Sequence, residues 1–217
     1  MTADPTEPHA DDCSTGPISW VESRVMPRRT LPATTVDPLL AQARRMFSAL
    51  AAAAADPPLR LAAEFDLVGI GRLRTTTLAN FALSAHPAAP ATGFTLSFDY
   101  CGREALTHVC ASDRVFAIVR KKLFDHGLAV KAVASATANK LTVEPIVSAA
   151  VSFTLAQQSQ RVCITMRNVV MLGVVAYEIP RAGLDRKLVD AVIDLITAQG
   201  RTFYTLLAAA RQGFDGR

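Results

Sequence analysis

Apolar and polar positions alternate with period two through residues 146–179, in three successive segments. Val147, Ala149, Val151, Phe153 and Leu155 fall on one side. After a polar break at Gln157, Ser159 and Gln160, the period resumes at Val162, Ile164 and Met166. Past Gly173 it returns at Val175, Tyr177 and Ile179. Successive side chains of a strand leave opposite faces, so this pattern predicts a half-buried antiparallel meander of three strands. The other positions are unusual. Ile146, Ser148, Ala150, Ser152, Thr154, Val174 and Ala176 are small or apolar and uncharged. A face this neutral calls for a cover, either the chain's own helices or another molecule.

The rest of the body divides at clear signals. Asp37-Pro38 opens a helix, with Asp as N-cap and Pro at the first helical position. Leu39, Ala43, Met46, Phe47 and Leu50 recur at helical spacing until Asp56-Pro57-Pro58. Leu61–Val68 and the alternation Leu73, Thr75, Thr77, Ala79, Phe81, Leu83 predict two strands around a Gly69–Gly71 turn. Residues 85–92 read as a loop. Phe94, Leu96, Phe98 and Tyr100 alternate, and Gly102-Arg103 reads as a two-residue hairpin loop returning along 104–110. Ser112 and Asp113 cap a helix that Gly127 ends, with Val115, Phe116, Val119, Leu123 and Phe124 as its apolar face. Short strands at 128–134 and 141–144 precede the meander. Asp185 caps a C-terminal helix, and Gly200 separates it from a second one.

The order is helix, about four strands, helix, about five strands, then helices. The expected fold is α+β, mostly antiparallel sheet packed by helices. Short turns in place of crossover helices argue against a parallel doubly wound sheet. Residues 1–35 read as a disordered, Pro-rich tail, with few apolar residues and no period. Residues 36–217 read as a single α+β domain, and 85–92 is the place where it would subdivide.

Composition narrows the classes. Half of the 217 residues are hydrophobic and 19% are charged, as in a globular chain. No run of about 18 apolar residues predicts a spanning helix, so no membrane partner is expected. Four cysteines are too few for a disulfide scaffold in a chain this long. Met1–Asp12 lacks the pattern of an export signal, and the expected location is a bacterial-type cytoplasm. The whole chain carries +4 and the first 31 residues −2, so the remainder carries +6. A mildly basic body favours anionic partners without naming one.

The candidate chemistry is thin. Gly69-Ile-Gly71 lacks the helix and the Lys-Ser/Thr pair of a phosphate loop and reads as a hairpin turn. Cys101, His108, Cys110 and His126 lack paired metal-ligand spacing, so no metal or other cofactor is expected. The presumed 93–110 hairpin sets Ser97 opposite His108, with Asp99 on the same face. A flat strand pair offers neither an in-line base nor an oxyanion hole, so an ordinary wet face accounts for them. The acidic pairs Glu64/Asp66 and Glu144/Glu178 have the chemistry to coordinate magnesium in a nuclease, but no Lys or His sits at a supporting distance in sequence, and acids two residues apart are common on solvated strand faces.

Two binding constellations remain. Arg72, Arg74, Arg114, Arg120, Lys121 and Lys122 make a candidate nucleic-acid surface, centred on one basic helix. Exposed aromatic residues for base stacking are few. In the tail, Trp20 with Arg28 and Arg29 forms a candidate docking segment for a protein partner. The expected function is a non-catalytic binding or assembly module acting through protein–protein contacts or self-association. Nucleic-acid binding through the basic helix is the alternative, and a hydrolase with an unrecognised site comes third.

Overall fold

The computed structural model describes residues 37–55, 58–67, 69–86, 92–134, 139–156, 158, 160–197 and 200–215. The tail with Trp20, Arg28 and Arg29 lies outside the described residues, as does most of the 85–92 loop.

The α+β class holds. Helix α1 (Pro38–Ala53) begins where Asp37 Oδ1 accepts from the amides of Leu39 and Leu40 at 2.9 and 3.3 Å. Then follow β1 (Leu59–Leu67), β2 (Gly71–Ala85), β3 (Gly93–Cys101) and β4 (Leu106–Cys110). Helix α2 (Asp113–Asp125) leads to β5 (Val130–Ala134) and β6 (Asn139–Val143). The meander is β7 (Ile146–Ala156), β8 (Arg161–Arg167) and β9 (Val174–Pro180). Two helices close the chain, α3 (Arg186–Thr197) and α4 (Thr202–Asp215). Asp185 Oδ1 accepts from the Leu188 amide at 2.8 Å, as its capping position predicts.

The strands form two antiparallel sheets. One has six strands in the order β1-β2-β3-β7-β8-β9, and the other has three in the order β4-β6-β5. This corrects the hairpin expected at Gly102-Arg103. β3 pairs with β2 and β7, with Cys101 opposite Ile146, while β4 pairs with β6. The chain therefore leaves the large sheet at Gly102, builds β4, α2, β5 and β6, and returns at Pro145. The Gly102 amide donates to the Pro145 carbonyl at 2.6 Å. A side chain at position 102 would overlap the Arg74 carbonyl oxygen, so only glycine fits where the insertion departs. Ser97 then lies beside Ala82 and Ala150, and His108 beside Leu141, so the Ser97–Asp99–His108 grouping does not assemble.

The core lies on one face of the large sheet. Phe47 of α1 meets Phe94 and Phe153 at centroid distances of 5.8 and 5.4 Å, and those two stack on each other at 5.1 Å. Phe203 of α4 meets Tyr177 edge-on at 5.4 Å. At the other end of the same face, Phe65 meets Tyr100 at 5.1 Å. There the inserted segment contributes Leu123, Leu128, Leu141 and Val143 to the buried cluster. Of the meander's alternating residues, Val147, Ala149, Val151, Phe153, Val162, Ile164, Met166 and Ile179 are buried in this core, and Leu155, Val175 and Tyr177 are half-buried.

Strand β2 departs from its even alternation. Pairing shifts register between Ala79 and Ala82, and Asn80 takes φ +57° at the irregularity. This bulge lets both Leu78 and Phe81 turn toward the core, although their spacing is odd.

On the opposite face, Ser148 and Ala176 are exposed, and Ala150, Ser152 and Thr154 are half-buried. Asp99 accepts there from Asn80 and Ser148 at 2.8 and 2.7 Å.

Candidate functional site

A groove of about 650 Å³ opens at the Phe65–Tyr100 end of the core face. Three segments far apart in sequence wall it. One is the end of β1 and the β1–β2 turn, with Phe65, Leu67 and Ile70. The second is α2, with Ile118, Val119 and Leu123. The third is the β8–β9 loop, with Val170, Met171 and Leu172. Glu64, Asp66, Lys122 and His126 supply its polar groups. This size is within the range of about 300–1,000 Å³ that ligand sites occupy.

Each wall is held by local chemistry. Gly69 at φ +82° makes the β1–β2 turn, where the Ile70 amide donates to Leu67 O at 2.8 Å and Ile70 is presented to the groove. The Ser112 hydroxyl caps α2 by accepting from the Val115 amide at 3.3 Å. At the other end Gly127, at φ +73°, donates to Phe124 O at 2.8 Å, and Leu128 donates to Leu123 O at 3.0 Å. This left-handed closure satisfies the last carbonyls of the helix.

The β8–β9 loop is organised by Asn168, which is buried with 1% exposure. Its backbone takes φ +53°, a conformation that Asn tolerates better than most residues. Its Oδ1 accepts from the Gly173 amide at 2.8 Å. Its Nδ2 donates to His126 O at 2.9 Å and to Ser148 O at 3.0 Å. The buried Tyr100 hydroxyl donates to the next carbonyl, Val169 O, at 2.8 Å. With its base fixed, the loop holds two apolar side chains in water: Val170 is 51% and Met171 62% exposed.

Helix α2 departs from the single apolar face read in its sequence. Only Leu123 is buried, and Phe116 and Val119 are half-buried. Val115, Ile118 and Phe124 stand exposed at 40%, 48% and 78%.

The six residues of the basic candidate surface are all exposed, and they differ in their partners. Glu64 meets Arg74 at 2.9 Å and Arg72 at 3.6 Å, and Lys121 meets Asp125 at 2.8 Å. Arg114, Arg120 and Lys122 form no ion pair among the described residues. The three without an ion pair are thus all on α2: Arg114 and Lys122 share one side of the helix, Arg120 lies on the other, and Lys122 is the one that lines the groove.

Titratable groups elsewhere follow their surroundings. Burial raises the Tyr100 phenol well above its ordinary 10.0. Burial, with Asp99 adding to it, raises the Cys101 thiol. Cys101 stands at the end of β3, and His108 and Cys110 on β4 in the other sheet. Among the described residues, no three His, Cys, Asp or Glu side chains are grouped to hold a metal ion. No described helix is long and apolar enough to cross a membrane.

Of the groove's lining, sequence reasoning singled out only Lys122 as a binding residue. The one available signal was Val169–Leu172, an apolar run set at a strand-to-strand turn, where polar residues are the norm. Compared with family models, curated proteins and solved structures, the chain shows no significant match.

Proposed function

We propose that this protein is a non-catalytic binding module that works through protein–protein contacts, with the groove between α2, the β1–β2 turn and the β8–β9 loop as its contact surface. One observation carries this reading. An apolar groove is lipped by three exposed apolar side chains, Ile118, Val170 and Met171, on wall segments fixed by hydrogen bonds. Exposed apolar patches framed by polar residues are a mark of interaction sites. An apolar centre with a charged rim, here Glu64, Asp66 and Lys122, is the anatomy of a protein interface. A cytoplasmic setting accords with Cys101, Cys110 and Cys163, all free thiols.

The test is a photo-crosslinking side chain placed at Met171, with Thr107 on the exposed face of the small sheet as control. Protein adducts at 171 and none at 107 are expected. Adducts to nucleic acid only, or none at either position, overturn the proposal.

Nucleic-acid binding is the competing function, supported by the unpaired Arg114, Arg120 and Lys122 on one helix. Of its six candidate residues, Arg72 and Arg74 share Glu64, and Lys121 meets Asp125. Anisotropy of labelled single- and double-stranded oligonucleotides at two salt concentrations decides it, because phosphate contacts weaken steeply with salt.

A further inference from the structure

We infer that the groove takes an amphipathic helix of a partner protein, seated with its carboxylates against α2. This rests on the groove being a protein-binding surface, and it names the chemistry of what binds. The helical form follows from the surface α2 offers. Arg114, Ile118 and Lys122 are each spaced by four residues, so they form one ridge along the exposed side of the helix. Such ridges pack into the grooves of a second helix, with the axes about 8–10 Å apart. Val170 and Met171 of the β8–β9 loop and Phe65, Leu67 and Ile70 of the β1–β2 segment supply the other two walls. An incoming helix would cover both lips at once through apolar residues at i, i+4 and i+7.

The sign of the flank follows from which charges are already engaged. On the β1–β2 side, Glu64 is matched by Arg72 and Arg74. On α2, Lys121 is matched by Asp125, while Asp113, at the N-terminal end away from the groove lining, accepts from the neutral Asn139 amide at 2.6 Å and keeps its charge. Arg114 and Lys122, four residues before and after the groove-lining Ile118, have no ion pair among the described residues, against the unpaired Asp66 on the β1 wall, while Arg120 lies on the far side of the helix. A partner helix gains by setting Glu or Asp along α2, and a basic flank there meets like charge.

The experiment uses two fluorescein-labelled peptides of about 18 residues, long enough for appreciable helix. Both carry leucines at i, i+4, i+7 and i+11. One flanks that row with glutamates and the other with lysines. Anisotropy titrations are run on the full chain and on Lys122→Glu and Met171→Glu, with circular dichroism confirming that each variant folds. The glutamate peptide should bind the native chain about five- to tenfold tighter than the lysine peptide, the scale of a few exposed charge pairs. Lys122→Glu should erase or invert that preference, and Met171→Glu should weaken both peptides.

Equal affinity for both peptides, lost in Met171→Glu, overturns the charge assignment and leaves protein binding at the groove standing. Silence of both peptides overturns the helix itself. Silence together with absent cross-linking at Met171 removes the underlying function as well. An oligonucleotide that displaces the glutamate peptide, and loses affinity in Lys122→Glu but not in Met171→Glu, overturns the inference in favour of nucleic acid.

Discussion

Asn168 ties two walls of the groove together: its Nδ2 donates to the carbonyl of His126 at 2.9 Å, across 42 residues of sequence. The same amide group reaches Ser148 O, and its Oδ1 holds Gly173 N, so one buried side chain joins α2, β7 and the β8–β9 loop. Asn168→Ala leaves these backbone groups without their partner and keeps a positive φ that alanine disfavours. It should lower stability by about 2–4 kcal/mol in chemical denaturation. Asn168→Gly removes the same hydrogen bonds but relieves the φ, and should lose about 1 kcal/mol less. A loss under about 1 kcal/mol for Ala would show that the loop holds its shape without this residue.

Gly102 has no room for a side chain. A Cβ there would meet the Arg74 carbonyl and come within 3.1 Å of Pro145 Cβ. Gly102→Ala must shift backbone on two strands, at a cost of about 2–3 kcal/mol, readable as a lower urea midpoint. An unchanged midpoint would mean that the departure point of the insertion is pliable.

Neighbours on α2 should respond in opposite ways. Leu123, at 2% exposure, packs into the core, and Leu123→Ala should cost about 2–5 kcal/mol. Phe124, at 78% exposure, should change stability by no more than about 0.5 kcal/mol when replaced by Ala. Thermal melts of the two variants, compared side by side, check the burial assigned to each.

Tyr100 sets an alkaline limit. Burial keeps its phenol protonated in the folded chain at pH values where the unfolded chain, near 10.0, has lost the proton. The folded state then binds more protons, so stability falls as pH rises from about 10 toward the raised folded value. Below pH 10 this group adds no slope. Tyr100→Phe should flatten the decline above pH 10, while costing about 1 kcal/mol at neutral pH from the bond to Val169 O. Tyrosinate absorbance should show one of the tyrosines titrating only as the protein unfolds. A decline of equal slope in the Phe variant would assign the alkaline limit elsewhere.

Local chemistry made the elements legible. Asp37, Ser112 and Asp185 act as the caps their positions announce, and the meander's period survives as burial from Val147 to Ile179. Pairing partners were a different matter. Gly102-Arg103 carries the local signal of a tight hairpin, yet Cys101 finds Ile146, because long-range burial of Tyr100 against Val147 outweighs turn preference. On α2, Phe124 and Leu123 look alike in a periodic pattern. Only the position of the small sheet decides which is covered. The groove was the least visible feature: Ile70, Ile118 and Met171 converge from three distant segments, and no local spacing encodes that meeting.

The departure and return of residues 102–145 occur at adjacent positions, with Gly102 hydrogen-bonded to Pro145 and Cys101 beside Ile146. In topological terms the large sheet is a host and the segment a guest, since β3 and β7 would be joined as well by a tight turn. The guest supplies one wall of the groove and the host the other two. The groove is thus a seam between a framework and its insert, and its shape can be altered by changes in the insert that leave every ladder of the six-stranded sheet in place.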